Sequence, residues 1–173
     1  NEGLSTVLAD TGLGFWGEGG SEGPAVCAKE KVSRGVDVSQ GNGTVKWSTV
    51  RKNGYAFAYI RAADGTKTGD KTFSSNWTNS AKVGLIRGAY QVFHANQDPT
   101  AQAKLVLTKM GKLNGNELPV AAVVEDDFGQ TKSALASKLK KWSAVIQKGT
   151  SKKPVIYTRG ESWPIPGNES FTS

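Results

Sequence analysis

The sequence is poor in the residues that build metal sites, disulfide frameworks and membrane spans. Its 173 residues include one cysteine, Cys27, and one histidine, His94. A cysteine-rich zinc site and a disulfide framework within these residues are therefore excluded. No apolar stretch approaches the roughly 20 residues that cross a bilayer, so we expect no membrane insertion. We predict no cofactor and no metal.

Two common catalytic and binding motifs are also missing. A single histidine offers one imidazole to a Ser-His-Asp arrangement, and no nucleophile-elbow sequence accompanies it. Residues 35–43, at the end of the first predicted strand, have neither the lysine nor the spacing of a phosphate-binding loop. Serine hydrolase chemistry and nucleotide binding are therefore not predicted.

Positive charge, in contrast, is abundant. Lys and Arg number 22 against 15 acidic residues, which gives a formal net charge of +7. Nucleic acid, anionic lipid and bacterial cell-wall polymer all attract such a protein, and charge alone does not choose among them. No aromatic and basic sheet motif of an RNA-binding domain is present, so nucleic acid is not the predicted partner.

Strand and helix patterns alternate along the chain from residue 32. The predicted strands are 32–38, 55–62, 85–93, 120–125 and 155–157, and the predicted helices between them are 47–52, 73–83, 99–112 and 133–148. This alternation implies parallel strands joined by right-handed crossovers, hence an α/β barrel or a doubly wound sheet. Residues 1–31 show no sustained period and are interpreted as an N-terminal extension of the domain formed by 32–173.

The fourth predicted helix has the clearest pattern. Its apolar residues fall three or four positions apart and form one stripe, at Leu135, Leu139, Trp142 and Ile146. Its other face carries lysines, which we interpret as a solvated helix face.

Polar side chains gather where the predicted strands end, which is where sites form in parallel α/β folds. The strand ends carry Asp37, Ser39, Arg61, Asp64, Gln91, Phe93, His94, Glu125, Asp126, Tyr157 and Arg159. Aromatic faces beside hydrogen-bonding side chains suit a sugar or peptide groove. A carboxyl group at the end of an apolar strand costs desolvation that fold stability alone rarely selects, so Glu125 is the predicted catalytic residue.

The motifs as a set resemble those of family 25 glycoside hydrolases, the lysozyme-type muramidases that cut the glycan of peptidoglycan. In family order the matching segments are 35–39, 54–62, 76–77, 84–93, 96–99, 118–125 and 154–158, with Trp47 after the first. The resemblance implies a flattened, TIM-like β/α barrel with a groove across the strand C-termini. It assigns the family's first-strand aspartate to Asp37 and its general acid to Glu125. It also implies groove positions for Tyr59, Arg61, Tyr90, Gln91 and Tyr157.

The sequence departs from the family pattern at two places. Family members usually carry Asp-x-Glu at the fourth strand, where this chain has Val123 two residues before Glu125. A second carboxylate expected near the family's C-terminus does not occur here, and the last barrel strands are expected to be absent from these residues. In the family the missing aspartate is thought to orient the acetamido group of the sugar. We therefore hypothesise a preference for deacetylated peptidoglycan, whose ammonium group could pair with Asp37, Asp126 or Asp127.

Two functions remain open at this point. One is a peptidoglycan-cleaving muramidase, and the alternative is a catalytically inactive module that binds cell wall through the same groove. Both imply peptidoglycan glycan strands as the partner, and we expect a monomer. Because the chain begins at Asn1 without a basic and apolar leader, we interpret it as a processed product, secreted or periplasmic and bacterial.

Overall fold

A computed structural model of the chain describes residues 6–10, 13–16 and 33–158. The predicted domain boundary at residues 31 and 32, and Cys27, lie outside these residues. The strands are β1 Thr6–Asp10, β2 Leu13–Trp16, β3 Ser33–Val38, β4 Tyr55–Asp64, β5 Thr68–Gly69, β6 Ile86–Val92, β7 Ala121–Val124 and β8 Val155–Thr158. The helices are α1 Trp47–Lys52, α2 Phe73–Lys82, α3 Pro99–Met110 and α4 Lys132–Thr150, and a short 3-10 helix covers Gln40–Asn42.

All eight strands belong to one sheet, in the order β2-β1-β3-β4-β6-β7-β8, with β5 paired to β4. Strands β3, β4, β6, β7 and β8 are parallel to one another, while β1 pairs with β2 and β3, and β5 pairs with β4, in antiparallel fashion. The parallel strands curl into a half-barrel with helices on its outside. The α/β fold with parallel strands predicted from the sequence is therefore confirmed.

The regular elements follow the predicted ones closely, and most ends differ by no more than two residues. The hairpin β1–β2 and its pairing with β3 were not predicted. Strand β4 continues to Asp64, two residues beyond the predicted end, and there it pairs with the short β5. Strand β7 ends at Val124, so Glu125 is the first residue of the following loop.

The two long helices begin with side-chain caps that the sequence supplies. The Asp98 carboxylate accepts a hydrogen bond from the Ala101 N–H at 2.6 Å, and Pro99 follows it as the first helical residue of α3. The Thr131 hydroxyl oxygen accepts from the Ala134 N–H at 3.2 Å and starts α4. These caps fix where each helix begins, and so fix the length of the loop that leads into it from the preceding strand.

The main core lies between the sheet and the helices. The apolar stripe of α4 is buried there as predicted, and the Trp142 ring meets that of Phe93 edge-on, with centroids 6.4 Å apart. Trp47 and Trp77, on α1 and α2, are also buried in this layer. Since burial of one large apolar side chain contributes roughly 1.5–3 kcal/mol, this layer is the main source of stability.

The opposite side of the sheet is called here the inner face, and it holds a second cluster made by Phe57, Tyr59, Tyr90 and Ala121. Two strand glycines make room for its rings. A Cβ atom at Gly35 would lie 2.1 Å from the Phe57 ring, and one at Gly88 would lie 2.5 Å from the Tyr59 ring. The inner face thus carries aromatic side chains laid flat against the neighbouring strands.

Candidate active site

Strand alternation and register bring predicted site residues together on the inner face. Because paired residues of parallel strands point to the same side, the pairing of Asp37 with Tyr59 places both on this face. One step toward the strand C-termini, Arg61 pairs with Tyr90, and Tyr90 with Ala121. The next row runs from Val92 through Val123 to Tyr157. Predicted groove residues therefore occupy successive rows of one surface.

Tyr90 lies at the centre of this surface and has an unusual electrostatic environment. Burial raises the pKa of the Tyr90 phenol above its ordinary value of 10, and the nearby Asp37 carboxylate raises it further. The Arg61 cation and a hydrogen bond with the Ser39 side chain act in the opposite direction without reversing the shift. Tyr90 is therefore a protonated phenol at neutral pH, able to donate a hydrogen bond.

Arg61 is held by a buried carboxylate that the sequence analysis did not select. The Arg61 Nε–H donates to Asp70 Oδ2 at 3.1 Å, and the same oxygen accepts from the Gln40 N–H at 2.8 Å. The other Asp70 oxygen accepts from the backbone and hydroxyl of Thr72. Burial acts to raise the pKa of Asp70, but the hydrogen bonds from Thr72, Gln40 and Arg61 hold it below its ordinary value. Asp70 thus fixes the direction of the Arg61 guanidinium.

Glu125 begins the acidic loop, defined here as residues 125–131 between β7 and α4. Glu125, Asp126 and Asp127 are all exposed. The carboxylates of Asp126 and Asp127 accept from the N–H groups of Phe128 and Gly129, at 2.6 and 2.8 Å, and these bonds shape the turn. Phe128 has a φ of +52°, a left-handed conformation that non-glycine residues rarely adopt. The loop therefore presents its acids in a fixed turn at the C-terminal edge of the sheet.

His94 lies in the loop after β6 and reaches the acidic loop. Its Nε2 is 2.5 Å from Asp64 Oδ1, at the end of β4, and its Nδ1 is 3.0 Å from the Gln97 side-chain nitrogen. The imidazole also stacks on the Phe128 ring. His94 therefore connects the loop after β6 to the end of β4 and to the acidic loop.

Two predicted groove residues lie on the other side of the sheet. Gln91 and Phe93 are fully buried beneath α4. The Gln91 amide accepts from Trp142 Nε1 at 2.9 Å and donates to the Gly65 carbonyl at 2.9 Å. Both residues belong to the packing between sheet and helices, and the structure does not bring them to the inner face.

Tyr59 and Tyr157 both belong to the inner face. The Tyr59 hydroxyl donates to the Pro119 carbonyl at 3.0 Å, which ties the ring across the sheet toward the start of β7, and burial raises its pKa to about 12. Tyr157 is half-buried on β8, beside Val123. Val123 itself packs against the inner cluster, so an apolar surface stands two residues before Glu125.

Sequence reasoning placed Asp64 at a strand end but missed Asp70 and Phe128 as members of this region. Asp70 had a usable signal, because Asp-x-Thr just before a helical pattern indicates a side-chain turn. Phe128 had none, since its contact with His94 joins residues 34 positions apart along the chain.

Within the part of the chain that the structure describes, no cluster of three or more His, Cys, Asp or Glu side chains could hold a metal ion. In the same residues no helix is long and apolar enough to cross a membrane. The side chains that the described residues bring to this surface are carboxylates, phenols, a guanidinium and the His94 imidazole.

Known proteins resemble this chain in sequence and in fold. The family model for glycosyl hydrolases family 25 matches residues 36–171. Lysozyme M1 of Streptomyces globisporus is 32% identical over 139 residues, covering 75% of this chain and 47% of the relative. The N,O-diacetylmuramidase of Arthroderma benhamiae is 25% identical over 138 residues, covering 75% of this chain and 59% of the relative. Among solved structures, a family 25 glycosyl hydrolase from Bacillus anthracis superposes with a TM-score of 0.72 at 29% identity, covering 76% of this chain and 62% of that one.

These matches cover more of this chain than of the relatives. The chain spans about half the length of the curated relatives it matches first. The family match, in contrast, extends over most of this chain, from within β3 to beyond the end of β8. The chain belongs to glycosyl hydrolase family 25.

Proposed function

We propose that this chain carries the catalytic groove of a peptidoglycan-cleaving muramidase. The supporting observation is that Asp37 and the loop beginning with Glu125 belong to the same C-terminal edge of the half-barrel, with Arg61 and Tyr90 on the strands between them. The names of two relatives, a lysozyme and a muramidase, support the same substrate class.

In this proposal Glu125 is the general acid that protonates the glycosidic oxygen as the bond breaks. Asp37 stabilises the oxocarbenium-like sugar through its negative charge. Tyr90, a protonated phenol, and Arg61, held by Asp70, hydrogen-bond to the sugar and orient it. These roles make Glu125 essential for turnover and leave binding to several residues.

The proposal extends to the state of the substrate. Val123 lies on the inner face among apolar side chains, at the position where the family pattern has an aspartate. A valine cannot accept a hydrogen bond from an acetamido N–H, whereas the exposed acids of the acidic loop suit an ammonium group. A glycan with deacetylated amino sugars is therefore the preferred substrate.

The first experiment measures release of soluble glycan from peptidoglycan sacculi before and after enzymatic deacetylation. The wild-type chain should act on the deacetylated wall, and Glu125→Gln should lower that rate by at least about 100-fold, as expected for loss of a general acid. Asp98→Asn is the matched control, because it also removes one exposed carboxylate but retains a helix cap. A protein that sediments with the wall and releases nothing, with Glu125→Gln behaving the same, would instead be the binding module.

A reversal variant tests the specificity. Val123→Asp restores the family's carboxylate and should raise the rate on acetylated sacculi relative to deacetylated ones. Val123→Asn introduces a polar but uncharged side chain at the same half-buried position, so it separates the effect of the carboxylate from that of polarity. Equal rates of the wild-type chain on both walls would refute the preference for deacetylated glycan and leave the muramidase proposal standing.

A further inference from the structure

The helical layer of the described chain carries charge of only one sign. The four helices α1 to α4 contain no aspartate and no glutamate. Their basic residues are Arg51, Lys52, Lys82, Lys104, Lys109, Lys132, Lys138, Lys140, Lys141 and Lys148. Helices on a solvated surface usually mix the two signs, since opposite charges three or four residues apart stabilise them. A layer without acids lacks this compensation.

The acids of residues 33–158 are concentrated elsewhere. Asp37, Asp64 and Glu125 with its two following aspartates lie at the C-terminal ends of β3, β4 and β7. The remaining three are Asp70, Asp98 and Glu117, which lie outside the helices and accept hydrogen bonds, Asp98 as the N-terminal cap of α3. Five of these eight acids therefore lie at the edge that carries the proposed groove, whereas the charged residues of the helices outside the half-barrel are all basic.

The basic layer is densest where α3 packs on α4. Lys141 and Lys148 are exposed and seven residues apart, which places them on one stripe of α4 about 10 Å from each other along its axis. The Leu107 side chain covers Gly149, so this side of α3 faces the end of α4. Lys104 is exposed three residues before Leu107, on the same side of α3. Three exposed lysines from two helices thus share one surface, named here the α3–α4 basic face.

The residue types of the α3–α4 basic face favour one kind of polyanion over others. Among the described residues the one large hydrophobic side chain that is exposed is Ile86, on β6, so the basic face offers neither an aromatic platform for bases nor an apolar anchor for a membrane. Lysine ammonium groups are compact point charges that neutralise phosphates without the bidentate geometry that arginine provides. Such a face suits a flexible chain of repeating phosphates.

We propose that the α3–α4 basic face binds a phosphate-rich polymer of the bacterial wall, on the side of the sheet opposite the glycan groove. The choice of a wall polymer among phosphate polymers rests on the proposed function. Because helices and groove lie on different sides of the sheet, the two ligands can be bound at the same time. The polymer would then hold the protein on the wall between cleavage events.

The test begins with a defined probe, long-chain inorganic polyphosphate, and two variants of equal charge. Lys104→Gln/Lys141→Gln/Lys148→Gln removes three charges from the α3–α4 basic face. Lys46→Gln/Lys52→Gln/Lys82→Gln removes three exposed charges beside α1 and α2. The first variant should bind polyphosphate at least about tenfold more weakly at low salt. The slope of its log affinity against log salt concentration should be shallower by about 2, because fewer counterions are released. The second variant should bind nearly as tightly as the wild type.

Two further measurements complete the test. The wild-type chain should sediment with wall fragments less after acid extraction of their phosphate polymers, and the first variant should release glycan from the extracted walls as fast as the wild type. Equal weakening by both triple variants would overturn the proposal, because net charge would then explain the binding. Tighter binding to duplex DNA or to anionic phospholipid vesicles, lost in the first variant, would also overturn it. If polyphosphate binding depends on these lysines but no glycan is released, the binding role of the α3–α4 basic face stands and the muramidase proposal fails.

Discussion

The ring of Phe128 stacks on the imidazole of His94, with centroids 4.4 Å apart and an angle of 27° between the planes. This contact joins the acidic loop to the loop that follows β6. A second link joins the same two loops, since the Lys138 ammonium donates to the Ala95 carbonyl at 2.5 Å and to the Gln130 side chain at 3.1 Å. The segment that begins with Glu125 is therefore fastened at two points.

Removal of the stack should affect turnover more than folding. An aromatic pair of this kind contributes roughly 0.5–1.5 kcal/mol beyond the burial of the ring, and Phe128 is also partly buried against the main core, so Phe128→Ala should lower the melting temperature by about 4–8 °C. Glycan release at 25 °C should fall more steeply, because the acidic loop loses one of its two fixed points. Phe128→Tyr keeps the ring and is the control. Wild-type release by Phe128→Ala, with the same lowered melting temperature, would show that the stack does not position Glu125.

The hydrogen-bond network predicts one tautomer of His94. The Thr66 N–H donates to Gln97 Oε1 at 2.6 Å, which fixes the direction of the Gln97 amide. The amide nitrogen must then donate to His94 Nδ1, so the imidazole proton sits on Nε2 and faces Asp64. Nitrogen NMR shifts of the neutral imidazole should report protonated Nε2 and bare Nδ1. Gln97→Leu removes the donor to Nδ1 but leaves Asp64 to accept from Nε2–H, so the Nε2–H tautomer should persist in that variant. A mixture of tautomers in the wild type would contradict the network.

Asp70 should make stability depend on pH. Because its pKa is lower in the folded chain, its contribution is present above its ordinary pKa and disappears as pH falls through the folded value. Asp70→Asn leaves one acceptor oxygen in place of two. Its NH₂ group is a donor, so it cannot accept hydrogen bonds from Arg61 or Thr72. The variant should lose about 1.5–3 kcal/mol of unfolding free energy at pH 7. Urea unfolding should show the loss shrinking below about pH 4, and an equal loss at pH 7 and pH 3 would exclude the charge as its cause.

The parallel strands and the helices could be predicted because buried runs and amphipathic stripes are local signals. The hairpin β1–β2 could not, since its strands are short and its pairing with β3 joins segments far apart in sequence. The site was harder still. Both faces of a parallel sheet are buried, so the residue types on β6 do not reveal that Tyr90 faces inward while Gln91 faces the helices.

Asp70 illustrates a second limit of sequence reasoning. Its partner Gln40 lies in the 3-10 helix after β3 and its partner Arg61 lies on β4, so only the folded chain brings the three residues together. The role of Glu125, in contrast, was inferred from its place after an apolar strand and from family resemblance, and it stays a prediction that the Glu125→Gln variant tests.

Gly88 should be required because the Tyr59 ring occupies the space where a side chain would begin. A Cβ atom there would lie 2.5 Å from Tyr59 Cε1 and 3.0 Å from Leu118 Cβ, so Gly88→Ala forces the ring or the strand to move. Overpacking of this kind costs about 1–3 kcal/mol, measurable as a lower urea midpoint.

A double-mutant cycle identifies the cause. Tyr59→Phe removes the hydrogen bond to the Pro119 carbonyl, worth about 1 kcal/mol, but keeps the ring, so Gly88→Ala should cost as much in that background as in the wild type. Tyr59→Val removes the ring, and there the cost of Gly88→Ala should nearly vanish, giving a coupling energy of about 1 kcal/mol or more. If the cost persists in the Tyr59→Val background, the contact with Leu118 limits the space. Gly88 would then be required by the packing of the β7 approach and not by the aromatic lining of the inner face.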